Sequence, residues 1–271
     1  MLKGKIKYFI IALAVTAVSC GVLKHANIFS LEDEKTFGKE LYAQIQSDPK
    51  EYPVVNEAKN PALYRHVKRI VKTILNSGKV NYVNDFDWNI EVIDAEVLNA
   101  FAGPGGKMYV YTGLIKYLDN EAQLAGVLAH EIAHVHWRHS TSQMTKQYGV
   151  AYLQQMIAGN SQNQMVTIAS QLAGSLSGLA FSRTDETEAD ETAVMFLSNT
   201  DYNPLGVAGF FQKLSADGQS GGTPTFLSTH PSPSDRISKI QAAWAANGSK
   251  KGNDFTDRYR EVKKCAQIIA K

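Results

Sequence analysis

Apolar residues recur along this chain at intervals of three and four in several segments, which is the pattern of amphipathic α-helices. One such segment covers residues 60–78 and has an Asn-Pro start and a glycine at its end. Another begins after Asn120, which can cap a helix, and keeps an apolar face as far as Val135. Alternating and β-branched or aromatic residues predict short strands at residues 87–93 and 108–111.

The rest of the chain adds further helices but no internal repeat. They are predicted at residues 30–47, 141–158 and 164–179, after Ser182, after Asn203, at residues 235–246 with Ser234 as cap, and at residues 254–270. Residues 165–181 are rich in Ala, Gly and Ser, which favours close helix packing over a membrane span. Residues 218–225 are predicted to form a flexible polar loop. The pattern predicts an α+β fold that is mostly helical, with a small β-sheet over the helix that follows Asn120.

That helix carries the most informative motif of the chain, a His-Glu-x-x-His string. His130 and His134 are one helical turn apart, so both imidazoles lie on one face and can hold one zinc ion. Glu131 is then placed to take a proton from a zinc-bound water. The alternative is a surface helix with two ordinary histidines.

A catalytic zinc takes three protein ligands and keeps one position for water or substrate. A third histidine six residues after His134, with a glycine midway, is excluded because Ser140 and Trp137 occupy those positions. A glutamate from a later helix is the other solution. Glu186 and Asp190 share a helix face, so Glu186 can bind the metal while Asp190 accepts a hydrogen bond from a ligand histidine.

The neighbouring acidic residues have a simpler interpretation. We interpret Asp185, Glu188 and Glu191 as a solvated acidic first turn, which the helix dipole favours. His136 and His139 lie outside the metal-facing side of the zinc helix if that helix continues, and we interpret both as structural.

These motifs, with several others, resemble the zinc metallopeptidases of peptidase family forty-eight, the gluzincin-like group typified by HtpX, BepA, LoiP and Oma. The matching segments are His130-Glu-x-x-His134, Glu186-x-x-Ala-Asp190, Asn99-Ala-Phe-Ala102, residues 104–114, His136, Arg138-His139, Thr229-His-Pro231 and Arg236-Ile237. Together they cover residues 30–246. The resemblance implies a zinc-dependent endopeptidase with one Zn²⁺ per chain.

The resemblance also implies roles for two segments outside the zinc helix. His230 would help zinc to stabilise the oxyanion, and it could also bind the metal when no substrate is present; the alternative is a loop-capping histidine. The segment formed by Asn99, Ala100, Phe101 and Ala102 would be an edge strand that pairs with an extended substrate. A strand that only packs on the zinc helix is compatible with this.

The N-terminus predicts export and lipidation. Residues 1–19 have three lysines followed by a short apolar core, as in a signal peptide, and that core is too short for a comfortable transmembrane helix, which needs about 20 residues. Ser19 precedes Cys20, as in a bacterial lipobox, although Ala17 replaces the usual Leu or Val. An ordinary signal peptide or an uncleaved anchor is the alternative. We expect residues 20–29 to be a linker, 30–248 the peptidase domain and 249–271 a helical tail absent from the minimal family core.

Charge and cysteine content add little that is specific. The chain has 28 basic and 26 acidic residues; residues 1–19 contain three lysines and no acid, so their removal leaves 25 and 26. Nothing therefore suggests a nucleic-acid surface. With Cys20 lipidated, Cys265 has no intramolecular partner.

The resulting hypothesis is a zinc endopeptidase of the bacterial cell envelope, which we expect to be lipid-anchored in the outer membrane and to face the periplasm. Backbone pairing at an edge strand suits unfolded or misassembled envelope proteins as substrates. A zinc-stabilised chaperone without hydrolytic activity is disfavoured by Glu131, since metal binding alone requires no base there. A hydrolase of small esters or amides is disfavoured by the edge-strand segment.

Overall fold

The computed structural model describes residues 26–149, 180–217, 225–231 and 235–270. Its helices are α1 (Leu31–Ser47), α2 (Pro61–Leu75), α3 (Thr112–Tyr117), α4 (Glu121–His136), α5 (His139–Tyr148), α6 (Arg183–Ser198), α7 (Gly206–Ala216), α8 (Thr225–Thr229), α9 (Arg236–Ala246) and α10 (Thr256–Gln267). Its strands are β1 (Asn89–Ile93), β2 (Ala100–Gly103) and β3 (Lys107–Tyr111). The predicted α+β fold, mostly helical with a small sheet, is confirmed.

The sheet is mixed, and its central strand is β3. The strand order is β1-β3-β2, with β1 parallel and β2 antiparallel to β3. Phe101 pairs with Tyr109, and their rings stack with centroids 4.6 Å apart. The predicted edge strand at residues 99–102 is thus β2, displaced by one residue, and Asn99 precedes it and accepts a hydrogen bond from the Tyr111 amide.

Helix α4 is the centre of the molecule. All of its residues except Gln123 are buried, which explains why it is apolar on most faces. The Asn120 side chain caps it by accepting a hydrogen bond from the Gln123 amide at 2.9 Å. Helix α7 crosses it closely at two glycines: a Cβ added to Gly126 would lie 2.5 Å from the carbonyl carbon of Gly206.

The C-terminal helix α10 fastens the start of α4. The Asp254 carbonyl accepts hydrogen bonds from the first two amides of α4, those of Glu121 and Ala122. The Glu121 carboxylate, fully buried, pairs with Arg258 from α10 and with Arg69 from α2. The predicted tail therefore packs on the peptidase domain and supplies the N-terminal contacts of its central helix.

Several element boundaries differ from those predicted. Helix α2 ends at Leu75, three residues before Gly78. The helix predicted at residues 141–158 begins at His139 and ends at Tyr148, because Gly149 has a φ of 78°. The helix predicted at residues 164–179, the loop at 218–224, the cap Ser234 and residues 1–25 lie outside the described residues.

The predicted linker is partly packed. Phe29 is 2% exposed and belongs to an apolar cluster that also contains Phe37 and Leu41 of α1. Its carbonyl accepts a hydrogen bond from Arg138. Within the described ranges, no helix combines the length and apolar character that crossing a membrane requires.

Candidate metal centre

The last two turns of α4 place two imidazoles side by side. The Nε2 atoms of His130 and His134 are 3.0 Å apart, and the side chains are 2% and 1% exposed. At this distance at most one of the two nitrogens can carry a proton as a donor to the other. A cation between them would accept both lone pairs, which is the arrangement that the i, i+4 spacing predicts.

Helix α6 brings Glu186 to the same point. Ser182 and Asp185 form a capping box that starts this helix. The carboxylate oxygens of Glu186 lie 3.4 Å from His134 Nε2 and 3.4 Å from His130 Nε2. Burial alone would raise the pKa of Glu186, but the imidazoles of His230 and His130 hold it well below its ordinary value. The carboxylate is therefore ionised, as a metal ligand must be.

Four buried side chains offer ligand atoms that all lie within 4.8 Å of one another. They are His130, His134, Glu186 and His230. Two imidazoles and a carboxylate are a donor set of catalytic zinc sites. Glu131 adds an unsatisfied atom beside them, since its Oε1 is buried without a hydrogen-bond partner. The residues present therefore fit a metal ion with an open position.

Asp190 and Arg236 surround this set with further charges. Asp190 Oδ1 is 2.9 Å from His130 Nδ1, so it contacts the ring nitrogen that faces away from the cluster. Arg236 on α9 makes two bonds to Asp190, at 2.7 and 2.8 Å, and lies 3.0 Å from Glu186 Oε2. Burial alone would lower the pKa of His130, but the carboxylates of Glu186 and Asp190 raise it to about 9. The site is thus a buried network in which charges of both signs alternate.

Glu131 connects helix α4 to the sheet. Its Oε2 accepts a hydrogen bond from the Ala102 amide at 3.1 Å. That amide belongs to β2 and donates to Glu131 and not to β3, so it lies on the side of β2 that faces away from β3. Burial raises the pKa of Glu131, although the imidazoles of His230 and His130 oppose this. A raised pKa favours a group that must both take up and release a proton.

His230 lies inside the cluster and not on an exposed loop. Its Nδ1 is 2.9 Å from Glu186 Oε1 and 3.3 Å from His130 Nε2, and its Nε2 is 3.5 Å from Glu131 Oε1. Its ring stacks on Phe226 of α8 at 4.3 Å. The structure therefore places His230 among the candidate ligands, and its role stays a prediction.

Comparison with known proteins agrees with this geometry. The model of Peptidase family M48 matches residues 61–244, about two thirds of the chain. The chain belongs to this family. It is therefore a metallopeptidase, a hydrolase that acts on peptide bonds, and its buried His and Glu cluster could hold the metal ion that the family implies. Helix α10 lies beyond the part of the chain that the family model covers.

Individual relatives support the same family assignment. The chain is 32% identical to the mitochondrial metalloendopeptidase OMA1 of Schizosaccharomyces pombe over 87% of this chain and 68% of that one. It is 35% identical to the beta-barrel assembly-enhancing protease of Escherichia coli K12 over 54% of this chain. It is 30% identical to metalloprotease YcaL of the same strain over 65% of this chain and 69% of that one. The chain matches only 32% of the assembly-enhancing protease's length.

The interpretation of His139 made from helical phase is wrong, whereas His136 lies away from the site as expected. Helix α4 ends at His136, and Arg138 has a left-handed φ of 58°, so His139 turns back toward the site. His139 Nδ1 lies 2.9 Å from His134 Nδ1. His136 alone points elsewhere, and its Nδ1 accepts a hydrogen bond from the Asn81 amide.

The acidic residues before Glu191 are also not a solvated turn. Asp185 is 3% exposed and completes the capping box of α6. Glu188 Oε2 lies 3.2 Å from His139 Nε2. Glu191 alone is exposed as expected. Sequence analysis assigned no role to Arg236 beyond its place in a family motif, and its burial and carboxylate partners appear only in the structure. Cys20 lies outside the described residues.

Proposed function

We propose that this M48 metallopeptidase is a zinc-dependent endopeptidase that cleaves unfolded or misassembled proteins of the bacterial cell envelope. The observation that carries the proposal is the convergence of His130, His134 and Glu186 in one buried cluster, with the Glu131 carboxylate beside it. These three residues would hold one Zn²⁺ per chain. When bound, zinc lowers the pKa of its water to about 7 and polarises the scissile carbonyl.

Glu131 is the group placed to move the proton. Its Oε1, free of hydrogen bonds, can accept the proton of the attacking water while Oε2 stays fixed by the Ala102 amide. The same carboxyl can then pass the proton to the leaving amine. His230 would donate from Nε2 to the developing oxyanion, since that nitrogen lies 3.5 Å from Glu131 Oε1.

The substrate class follows from strand β2. Among the described residues β2 is an edge strand, and the amide of Ala102 on its free side points to Glu131. An extended peptide added to that side would pass directly over Glu131, and backbone pairing requires no particular side chains. Flexible, unfolded chains can adopt this conformation. The relative named as a beta-barrel assembly-enhancing protease is consistent with substrates of this kind.

All residues of β2 are buried, although no strand pairs with its outer side among the described residues. Ala100 is fully buried, and the Phe226 amide donates to the Leu98 carbonyl just before the strand. The segment that bears His230 therefore contacts both the candidate metal cluster and the residue two positions before β2. His230 would act as an inhibitory fourth ligand when the site is empty and would leave that position when substrate displaces α8.

The cellular location rests on the N-terminal sequence. Lipidation of Cys20 after removal of residues 1–19 would tether the enzyme, in our proposal to the outer membrane facing the periplasm. Intact-mass analysis of membrane-extracted protein decides this: a diacylated Cys20 terminus is expected, and retention of Met1 or an unmodified cysteine contradicts it. Cys20→Ser is expected to move the protein to the soluble periplasmic fraction.

The catalytic proposal is tested by Glu131→Gln, with Glu191→Gln on the exposed face of α6 as the matched control. We expect Glu131→Gln to keep its zinc and its fold while casein hydrolysis falls by about 10²–10⁴-fold. Glu191→Gln should cleave at the wild-type rate. Elemental analysis measures zinc, and full zinc occupancy in Glu186→Ala would remove that residue from the site.

His230→Ala separates the two roles of the histidine. A lower turnover with unchanged zinc indicates help in the transition state, whereas raised basal cleavage indicates an inhibitory ligand. Wild-type rates in this variant, with both folded and unfolded substrates, would contradict both roles.

A further inference from the structure

A chain of hydrogen-bonding groups leads away from His134 on the side opposite to the metal cluster. His134 Nδ1 is 2.9 Å from His139 Nδ1, and His139 Nε2 is 3.2 Å from Glu188 Oε2. Both imidazoles are 1% exposed, while the Glu188 side chain is 16% exposed. This series of hydrogen-bonding groups thus connects the buried imidazole of His134 to the partly exposed carboxylate of Glu188.

The chemistry of these atoms fixes where the protons are. His134 turns Nε2 toward His130 and Glu186, so this nitrogen must be unprotonated to bind a metal, and its proton resides on Nδ1. That N–H donates to His139 Nδ1, since two nitrogens at 2.9 Å need one donor and one acceptor. His139 is then protonated at Nε2 and donates to Glu188.

We propose that His139 is a positioning residue for the metal: by accepting from His134 Nδ1 it holds that ligand in the binding tautomer and orientation, and Glu188 does the same for His139. The inference rests on the proposed metal centre, because it assigns a function to the atom behind one of its ligands.

Comparison of the two α4 histidines supports this assignment. His130 has a direct carboxylate partner, Asp190, at 2.9 Å from Nδ1. His134 has no carboxylate at that distance from its Nδ1 among the described residues, and a neutral imidazole stands there instead. Partners of this kind orient metal ligands and change metal affinity by about 10–100-fold when removed.

The backbone between α4 and α5 brings the His139 ring within hydrogen-bonding distance of His134. Arg138 adopts the left-handed conformation after α4 ends, and α5 begins at His139 itself. The Arg138 side chain donates to Glu34 Oε1 at 2.8 Å, which holds this turn against α1. The turn therefore returns the His139 ring to the face of α4 that it would leave in a continuous helix.

A packing role is the competing explanation, and substitutions of different shape separate the two. His139→Asn places an acceptor oxygen near the position of Nδ1 but cannot reach Glu188. His139→Phe keeps an aromatic ring beside Phe181, whose centroid is 6.2 Å from that of His139, but accepts no hydrogen bond. The hydrogen-bond proposal predicts that Asn is the better replacement, and packing predicts that Phe is.

The experiment measures zinc affinity of the full chain by competition with a fluorescent chelator, and the visible spectrum of the Co²⁺-loaded form. We expect His139→Phe to bind zinc about 10–100-fold more weakly and to alter the Co²⁺ spectrum. His139→Asn should stay within about threefold of wild type, and Glu188→Gln should fall between them. The matched control is His136→Phe, another buried histidine, which should retain wild-type zinc affinity.

Three results would overturn the proposal. One is wild-type zinc affinity in His139→Phe, and another is equal weakening in the Asn and Phe variants. The third is a second zinc per chain that both His139→Phe and Glu188→Gln remove, because His139, Asp185 and Glu188 would then be a metal site of their own. Failure of the wild type to bind zinc contradicts the proposed metal centre instead, and all affinities are compared with the wild type for that reason.

Discussion

Arg236 offers the sharpest test of how this site is stabilised. Its guanidinium, 2% exposed, contacts Asp190 through two hydrogen bonds and lies 3.0 Å from Glu186 Oε2. Arg236→Met fills a similar volume but leaves two buried carboxylates without their cation. Removal of one partner from a buried pair costs about 3–5 kcal/mol.

The effect should be visible in thermal unfolding of the metal-free protein. A loss of about 3–5 kcal/mol corresponds to a fall in Tm of roughly 6–20 °C for a domain of this size. Arg236→Lys keeps the charge but lacks the planar fork, so an intermediate fall is expected. The control is Arg260→Met, because Arg260 and its partner Asp257 are 73% and 90% exposed and should contribute almost nothing.

A double-mutant cycle identifies the partner. In an Asp190→Asn background Arg236 no longer has the Asp190 charge as a partner. Arg236→Met should then lower the free energy of unfolding by at least about 1 kcal/mol less than it does in the wild type, since coupled residues usually interact by about 0.5–3 kcal/mol. Unchanged stability of Arg236→Met, or strict additivity with Asp190→Asn, would refute the interpretation of Arg236 as the cation that neutralises this pair.

Three further predictions concern the frame around α4. Gly126→Ala should destabilise the fold by about 1–3 kcal/mol in urea titrations, because the new Cβ would lie 2.5 Å from the Gly206 backbone. Burial alone would raise the pKa of Glu121, but hydrogen bonds from Arg69 and Arg258 lower it below the ordinary glutamate value. The ionised carboxylate therefore stabilises the folded state fully above the ordinary glutamate pKa, and this stabilisation is lost as the pH falls through the lowered pKa. Glu121→Gln should therefore be less stable at neutral pH and lose less stability on acidification, measured by circular dichroism. Truncation after residue 248 should abolish cooperative unfolding, since α10 supplies the partners of the α4 N-terminus.

Local patterns were sufficient to predict the centre of the site. The i, i+4 spacing of His130 and His134 depends only on helix geometry, and the same holds for Glu186 and Asp190. The capping residues Ser30, Asn120 and Ser182 also act within three residues of their helices. These features could be read from the sequence because each involves one element alone.

The errors came from contacts between elements. Helical phase misplaced His139 because nothing local indicates that Arg138, a non-glycine residue, turns left-handed. Glu188 was expected to be solvated because its partner, His139, comes from α5. Asp185 is the exception, since its partner Ser182 lies three residues away in the capping box of the same helix. Arg236 neutralises a carboxylate 46 positions earlier in the chain, which no spacing rule predicts.

Helix α6 carries none of the His-Glu-x-x-His residues, but it contributes the carboxylates of the candidate metal centre. It contributes Glu186 to the candidate ligand set, Asp190 beside Nδ1 of His130, and Glu188 beside His139, which contacts Nδ1 of His134. Ala189 and Ala193, both fully buried, follow Glu186 and Asp190 by three positions and so lie on the same face of the helix. On that face the Glu186 carboxylate lies 3.4 Å from the Nε2 atoms of both α4 imidazoles. The site therefore depends on how α6 packs against α4, because the carboxylates of α6 must reach the imidazoles of α4.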